Sequence, residues 1–155
     1  MSASAAAHGS EDRLVTFEVG DSVYALPIAG VIEVTEAEAL ACIPTLPSQI
    51  GGVINYHGDA LPVIHRPSLL DLDEAELSEP RHVLVLGEGR TGGACLGLLV
   101  DRVVGLVDGA AAVARGPGPV AERRPVGGRV VHVLDPKRLV ARAREVIDQS
   151  LGRSD

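Results

Sequence analysis

The chain has 155 residues, 46% of them apolar, and carries 21 acidic against 14 basic residues for a formal net charge of −7. This length suits one domain or two small packed halves, and at this size about 68–70% of the unfolded surface can be buried, so stability needs neither disulfide nor metal. An acidic chain with one Phe, two Tyr and no Trp repels phosphate backbones and lacks stacking platforms for single strands, which excludes nucleic acid as a partner class.

Residues 1–12, MSASAAAHGSED, have neither a cationic start nor a long apolar run; they read as a disordered tail, not a secretory signal. No run reaches the ~18 apolar residues of a membrane span. Cys42 and Cys95 stand apart without CxxC spacing, as small buried residues of a reducing compartment do. The expectation is a cytoplasmic protein with no membrane insertion.

Short β-rich runs follow. LVTFEV (14–19) and SVYALPI (22–28) flank Gly20-Asp21, a two-residue hairpin signal. AGVIEV (29–34) comes next, and Pro44, Pro47, Gly51 and Gly52 punctuate the connection after it. GVINY (52–56) and ALPVIH (60–65) flank a second tight tip, His57-Gly58-Asp59. The acidic stretch from Asp71 to Pro80 reads as a surface loop. HVLVLG (82–87), ACLGLLVD (94–101) and RVVGLVD (102–108) are strands, residues 109–125 a Gly- and Pro-rich flexible loop or edge, and RVVHVL (129–134) a last strand.

DPKRLVARAREVIDQS (135–150) predicts the one helix, with Asp135 as N-cap, Pro136 at the first helical position and Gly152 just past the end. Leu139, Ala143, Val146, Ile147 and Leu151 share a face. One repeat is visible. LPVIHRPSLL (61–70) matches VHVLDPKRLV (131–140) in its apolar positions at an offset of 70, and Val31-Ile32 and Val34 match Val103-Val104 and Leu106 at 72. Two related β units, closed so that apolar edges are not exposed, account for nine short strands and one helix.

Three catalytic or ligand readings deserve weighing. Gly87 to Gly92, GEGRTG, fits a dinucleotide fingerprint. However, ACLGLLVD reads as a buried strand where that reading needs a helix N-terminus, so a hairpin turn is the simpler account and a nucleotide- or small-ligand-binding barrel the alternative. His57, Asp59 and His65 would share a strand face, but 57–59 is itself the turn, and no HxH or HExxH occurs, so no metal site is expected. An enzyme using His57 and Asp59 needs a pocket and an oriented partner, which a hairpin tip does not supply. There is no GxSxG elbow for serine chemistry.

The family signal lies in several segments in order. They are Phe17-Glu18-Val19-Gly20 with Tyr24-Ala25-Leu26-Pro27-Ile28; Val31-Ile32-Glu33-Val34; Ile43-Pro44-x-Leu46-Pro47-x-x-Ile50-Gly51-Gly52-Val53-Ile54-Asn55; Gly58 and Pro62-Val63-Ile64; and Gly97-Leu98-Leu99-Val100-Asp101-Arg102-Val103. Together they resemble the CheW-like family of bacterial chemotaxis coupling proteins over residues 13–149. The resemblance implies a mainly β fold of two SH3-like five-stranded β-barrels packed together, with a C-terminal α-helix. The expected layout is a domain over 13–149, with barrel halves at roughly 13–78 and 80–134 and a helix over 135–150. It implies no catalysis and no cofactor, but a free-standing adaptor in receptor arrays at the membrane. Its partners would be the cytoplasmic tip of a methyl-accepting chemoreceptor and the regulatory domain of a histidine kinase.

By the same resemblance, Val31, Glu33, Gly52, Asn55 and Gly58 fall at receptor-contact positions, and Val104 supplies a second wall through the repeat. Plainer roles stand beside these: turn dihedrals for Gly52 and Gly58, core packing for Val31. Two places depart from the family. His57 stands where Arg is usual, exchanging a fixed bidentate cation for a conditional one, and His65-Arg66-Pro67 replaces Asp-Leu-Arg. Both changes point to a divergent chemosensory system.

Overall fold

The structure is a computed structural model that describes residues 13–41, 50–64, 79–87, 93–112, 115 and 118–152. Its strands are β1 (Arg13–Val19), β2 (Ser22–Pro27), β3 (Val31–Glu36), β4 (Ile50–Tyr56), β5 (Asp59–Ile64), β6 (His82–Gly87), β7 (Ala94–Val100), β8 (Arg102–Asp108), β9 (Val120–Val126) and β10 (Arg129–Leu134), followed by the helix α1 (Pro136–Gly152). They form two five-stranded sheets in the orders β8-β1-β2-β10-β9 and β3-β6-β7-β5-β4.

The continuous apolar runs are strands buried on both faces. In β6, Val83 and Val85 point into the interior of the second sheet with Ile54, Leu61, Val63 and Leu99. Leu84 and Leu86 point the other way, into a cluster between the sheets that also holds Phe17, Tyr24, Leu26, Leu98 and Leu134. The first sheet encloses its own interior of Leu14, Val23, Ala25, Val131 and Val133. Valine is the commonest residue inside the narrow barrels, whereas leucine and the aromatic rings fill the wider space between them. In the second sheet the chain leaving β3 returns to β4 through an antiparallel bridge, with Ala41 N–H donating to Val53 O at 2.8 Å and Val53 N–H to Ala41 O at 2.9 Å. That bridge draws the two ends of the sheet together into a barrel.

The helix seals the cluster between the barrels. Asp135 caps it as expected: its Oδ1 accepts from Lys137 N at 3.0 Å. Leu139, Val140 and Ala143 are fully buried against that cluster, with Val146 and Ile147 packed on it. Gly152 lies within the last turn instead of beyond it.

The barrels do not divide the chain near residue 79 as the sequence suggests. β1 pairs antiparallel with β8, and β2 runs parallel to β10, so the N-terminal hairpin sits in the middle of a sheet whose other strands come from the C-terminal third. The repeat is nonetheless real. β8, β1, β2, β10 and β9 correspond in order and pairing to β3, β6, β7, β5 and β4, including the parallel contacts β2·β10 and β7·β5. The second copy of the unit therefore begins at β8 and ends with β1 and β2. β9 is the strand left as a loop or edge by the sequence: its charges and Pro125 weaken the strand signal, and an outermost strand is where such residues are tolerated.

Glu18 links three strands of the first sheet. Its carboxylate accepts from Arg102 Nε at 3.1 Å and lies 3.6 Å from Arg129 Nη1. The Arg102 hydrogen bond, opposed by partial burial and assisted by attraction to both guanidiniums, holds its pKa below the usual glutamate value. A lowered carboxylate contributes stability above its unfolded pKa and loses it as pH falls through the folded one. Glu18→Gln is thus expected to melt slightly below the parent at pH 7, the difference being small for a solvent-screened cluster. Melting curves in a pH series should show this gap closing as acid protonates Glu18.

Candidate functional site

The seven predicted contact residues fall on three edges. Val31 and Glu33 lie on β3, the outermost strand of the second sheet; Gly52 and Asn55 lie on β4, with His57 and Gly58 at the β4–β5 tip; Val104 lies on β8, the outermost strand of the first sheet. Val31 is half-buried against the cluster between the barrels, while Glu33, Asn55, His57 and Gly58 are exposed.

The tip is a two-residue turn with both central residues at positive φ, His57 at 50° and Gly58 at 91°, the arrangement that suits the twist of a hairpin. The corresponding tip between β9 and β10 is Gly127-Gly128, at 57° and 83°. His57 thus holds a left-handed conformation where the other barrel uses glycine, at a cost of about 1–2 kcal/mol. Asn55 Oδ1 accepts from Gly58 N at 2.9 Å, and the His57 ring meets Tyr56 edge-on at 4.3 Å between centroids. Asp59 pairs with Tyr56 at the base of the turn, and His65 and residues 88–92 of GEGRTG lie outside the described residues. Among the described residues no three His, Cys, Asp or Glu side chains are grouped to hold a metal ion, and no helix is long and apolar enough to cross a membrane.

Gly52 is buried. A Cβ there would stand 2.6 Å from Ala41 O and 2.9 Å from Leu40 Cδ1, at φ 154°, so glycine is needed for β4 to reach the closing bridge. Beside the selected residues stand exposed apolar ones that the sequence reading did not select, Ile32, Val34 and Leu106. β-Bulges at the equivalent places in both barrels, between Val31 and Glu33 and between Val103 and Gly105, turn Ile32 and Val104 outward. Ile32, Val34, Val104 and Leu106 are 37, 40, 53 and 52% exposed. By the repeat Val104 corresponds to Ile32, whereas Val31 corresponds to Val103, which likewise packs on the cluster between the barrels. Bulges depend on strand pairing, so no local pattern announces them.

A cleft of about 850 Å³ opens beside the junction of the barrels, lined among others by Glu18, Glu36, Glu38, Arg81, His82, Asp101 and Arg102. Two hydrogen bonds hold its wall: Gly20 N–H donates to Asp101 Oδ2 at 3.1 Å, and Val103 N–H to His82 Nδ1 at 3.1 Å. None of the seven predicted residues lines it. In the first sheet the His132 ring lies tilted against Tyr24, 5.2 Å between centroids, and burial, then Arg123, lowers its pKa.

Comparison with known proteins agrees with this architecture. The chain is 36% identical over 96 residues to Protein FrzA of Myxococcus xanthus, covering 62% of this chain and 58% of that protein. It is 26% identical over 110 residues to Chemotaxis protein CheW of Treponema pallidum, covering 66% and 61%, and 32% identical over 91 residues to Chemotaxis protein CheW of Rhizobium meliloti, covering 59% and 57%. The matched stretch thus spans about three fifths of each relative. The crystal structure of scaffolding protein TtCheW from Thermoanaerobacter tengcongensis superposes with a TM-score of 0.64 at 20% identity, covering 81% of this chain and 89% of that one, and shares the fold of two SH3-like barrels. A model of the CheW-like domain matches residues 13–144, and the chain belongs to that family.

Proposed function

We propose that this protein is a non-catalytic adaptor that couples chemoreceptors to a histidine kinase in a cytoplasmic chemosensory array. The observation that carries the reading is the paired set of bulged edges: Ile32 and Val34 on one barrel, Val104 and Leu106 on the other, all exposed on outermost strands of a rigid double barrel. Singly exposed apolar residues are ordinary; four at repeat-related positions form surfaces suited to the apolar face of a helix or to another barrel. Family membership and the names of the relatives support the same reading. Asn55 and His57 would add polar contacts at the tip, and several weak contacts add up within an array.

The test is binding of the full chain to a receptor-tip fragment and to a kinase regulatory domain, separately, by titration calorimetry. Val34→Glu and Val104→Glu are each expected to weaken at least one of the two by tenfold or more, about 1.4 kcal/mol, with unchanged melting temperature. Unchanged affinity for both partners in both variants would refute the assignment of these edges.

A further inference from the structure

We propose that His82 is a proton-controlled tie between the barrels: neutral, its ring holds the β8 bulge that turns Val104 outward; protonated, it lets that bulge go. His82 opens β6 in the second sheet, and Val103 lies on β8 in the first. Val103 N–H donates to His82 Nδ1 at 3.1 Å. A ring nitrogen that accepts a hydrogen bond carries no hydrogen, so the ring is neutral with its proton on Nε2. Protonation would set a second N–H against the amide and turn attraction into repulsion.

The tie falls at the irregular place in the β1–β8 ladder. Phe17 pairs with Val103 and Thr16 with Gly105, which leaves Val104 unpaired and 53% exposed. Side chains clasp the bulge on both sides of Val104: His82 takes Val103 N–H, and Thr16 Oγ1 donates to Gly105 O at 3.1 Å. The repeat supplies an internal comparison. In the other barrel the equivalent amide, Val31 N–H, donates to Ile28 O, and Val85 stands where Thr16 would. The β8 bulge thus hangs on a group that titrates, and the β3 bulge on a backbone carbonyl that does not.

The surroundings pull the ring both ways. Charged groups that line the cleft with His82 are Glu18 on β1, Glu36 on β3, Glu38 after it, Glu79 and Arg81 before β6, Asp101 after β7 and Arg102 on β8. Glu18 is engaged by Arg102, and Asp101 by Gly20 N–H. Glu36, Glu38 and Glu79 would attract a cationic ring, whereas Arg81 and the Val103 N–H dipole oppose one. His82 is therefore a positioning residue for the Val104 edge. That Val104 meets a partner rests on the function proposed above; the state of the bulge does not.

Nitrogen-15 NMR of the full chain tests this. Near about pH 8 the His82 ring should show the Nε2–H tautomer. As the sample is taken to about pH 5, through the histidine range, the Val103 amide signal should shift with the midpoint of the His82 ring, and the Val31 amide should not follow it. His82→Asn keeps an acceptor oxygen where Nδ1 stood, so the Val103 amide should stay bonded and stop titrating. His82→Phe has no acceptor, and hydrogen exchange at Val103 should quicken roughly fivefold relative to Val31, the measure of one lost hydrogen bond. Melting curves matching the parent would show both variants folded, and the Asn variant decides alone if the Phe variant does not fold. The other tautomer, a Val103 amide indifferent to the ring, or one that still titrates in the Asn variant overturns the proposal. In calorimetry His82→Phe should weaken the same partner that Val104→Glu weakens. Unchanged affinity beside a Val103 amide that follows the ring would refute docking at Val104 and leave the tie standing.

Discussion

Phe17→Ala is expected to cost about 3–5 kcal/mol of folding stability, a large share of the 5–15 kcal/mol that holds a typical domain together. Phe17 is the sole phenylalanine of the chain. It is fully buried in the cluster between the barrels, its ring stacked on Tyr24 with centroids 5.9 Å apart. That cluster receives side chains from both sheets and from α1, so it is where the two barrels become one cooperative unit. A cavity here removes packing that neither barrel interior can replace, since each interior is filled by a separate set of side chains. Denaturant unfolding should therefore show a midpoint well below the parent's. A change under about 1 kcal/mol, measured against that expected range, would mean that the barrels do not depend on the shared core.

The same cluster shows how far the sequence could be read. Apolar runs such as HVLVLG announce strands buried on both sides, and the runs, the tips and the capped helix all fall where residue chemistry puts them. The sequence does not say which face of a run meets which core. In β6 the structure puts Val83 and Val85 inside the barrel and Leu84 and Leu86 in the space between. The offsets near 70 correctly signal a repeated unit, yet they hide that β1 and β2 complete the copy begun at β8. Pairing between Thr16 and Gly105 spans most of the chain, and no local pattern encodes it. On the β3 edge an exposed apolar residue lies between the two that were selected. Carry-over from the family selected Val31 and Glu33 on either side of Ile32, and only the bulge reveals which side chain faces out.

Gly52→Ala should be the most damaging of the substitutions at the predicted contact positions, and its damage should come through the fold. The added methyl would collide with Ala41 O, a backbone atom fixed by its own bridge to Val53, and a φ of 154° lies in territory that L side chains rarely enter. Overpacking and backbone strain together cost about 2–5 kcal/mol. Gly58→Ala provides the contrast. Its φ of 91° is also unfavourable, but nothing lies within 4 Å of the added atom, so the cost is limited to about 1–2 kcal/mol of dihedral strain. Unfolding curves and partner titrations on both variants separate closure from contact. If Gly52 acts by closing the barrel, Gly52→Ala loses stability first, and the fraction that remains folded binds with nearly parental affinity. If Gly52 touches the partner, affinity falls in the folded fraction while the melting temperature holds. Burial of Gly52 beneath the Ala41 bridge favours the first outcome, because a partner reaching it would have to open the barrel.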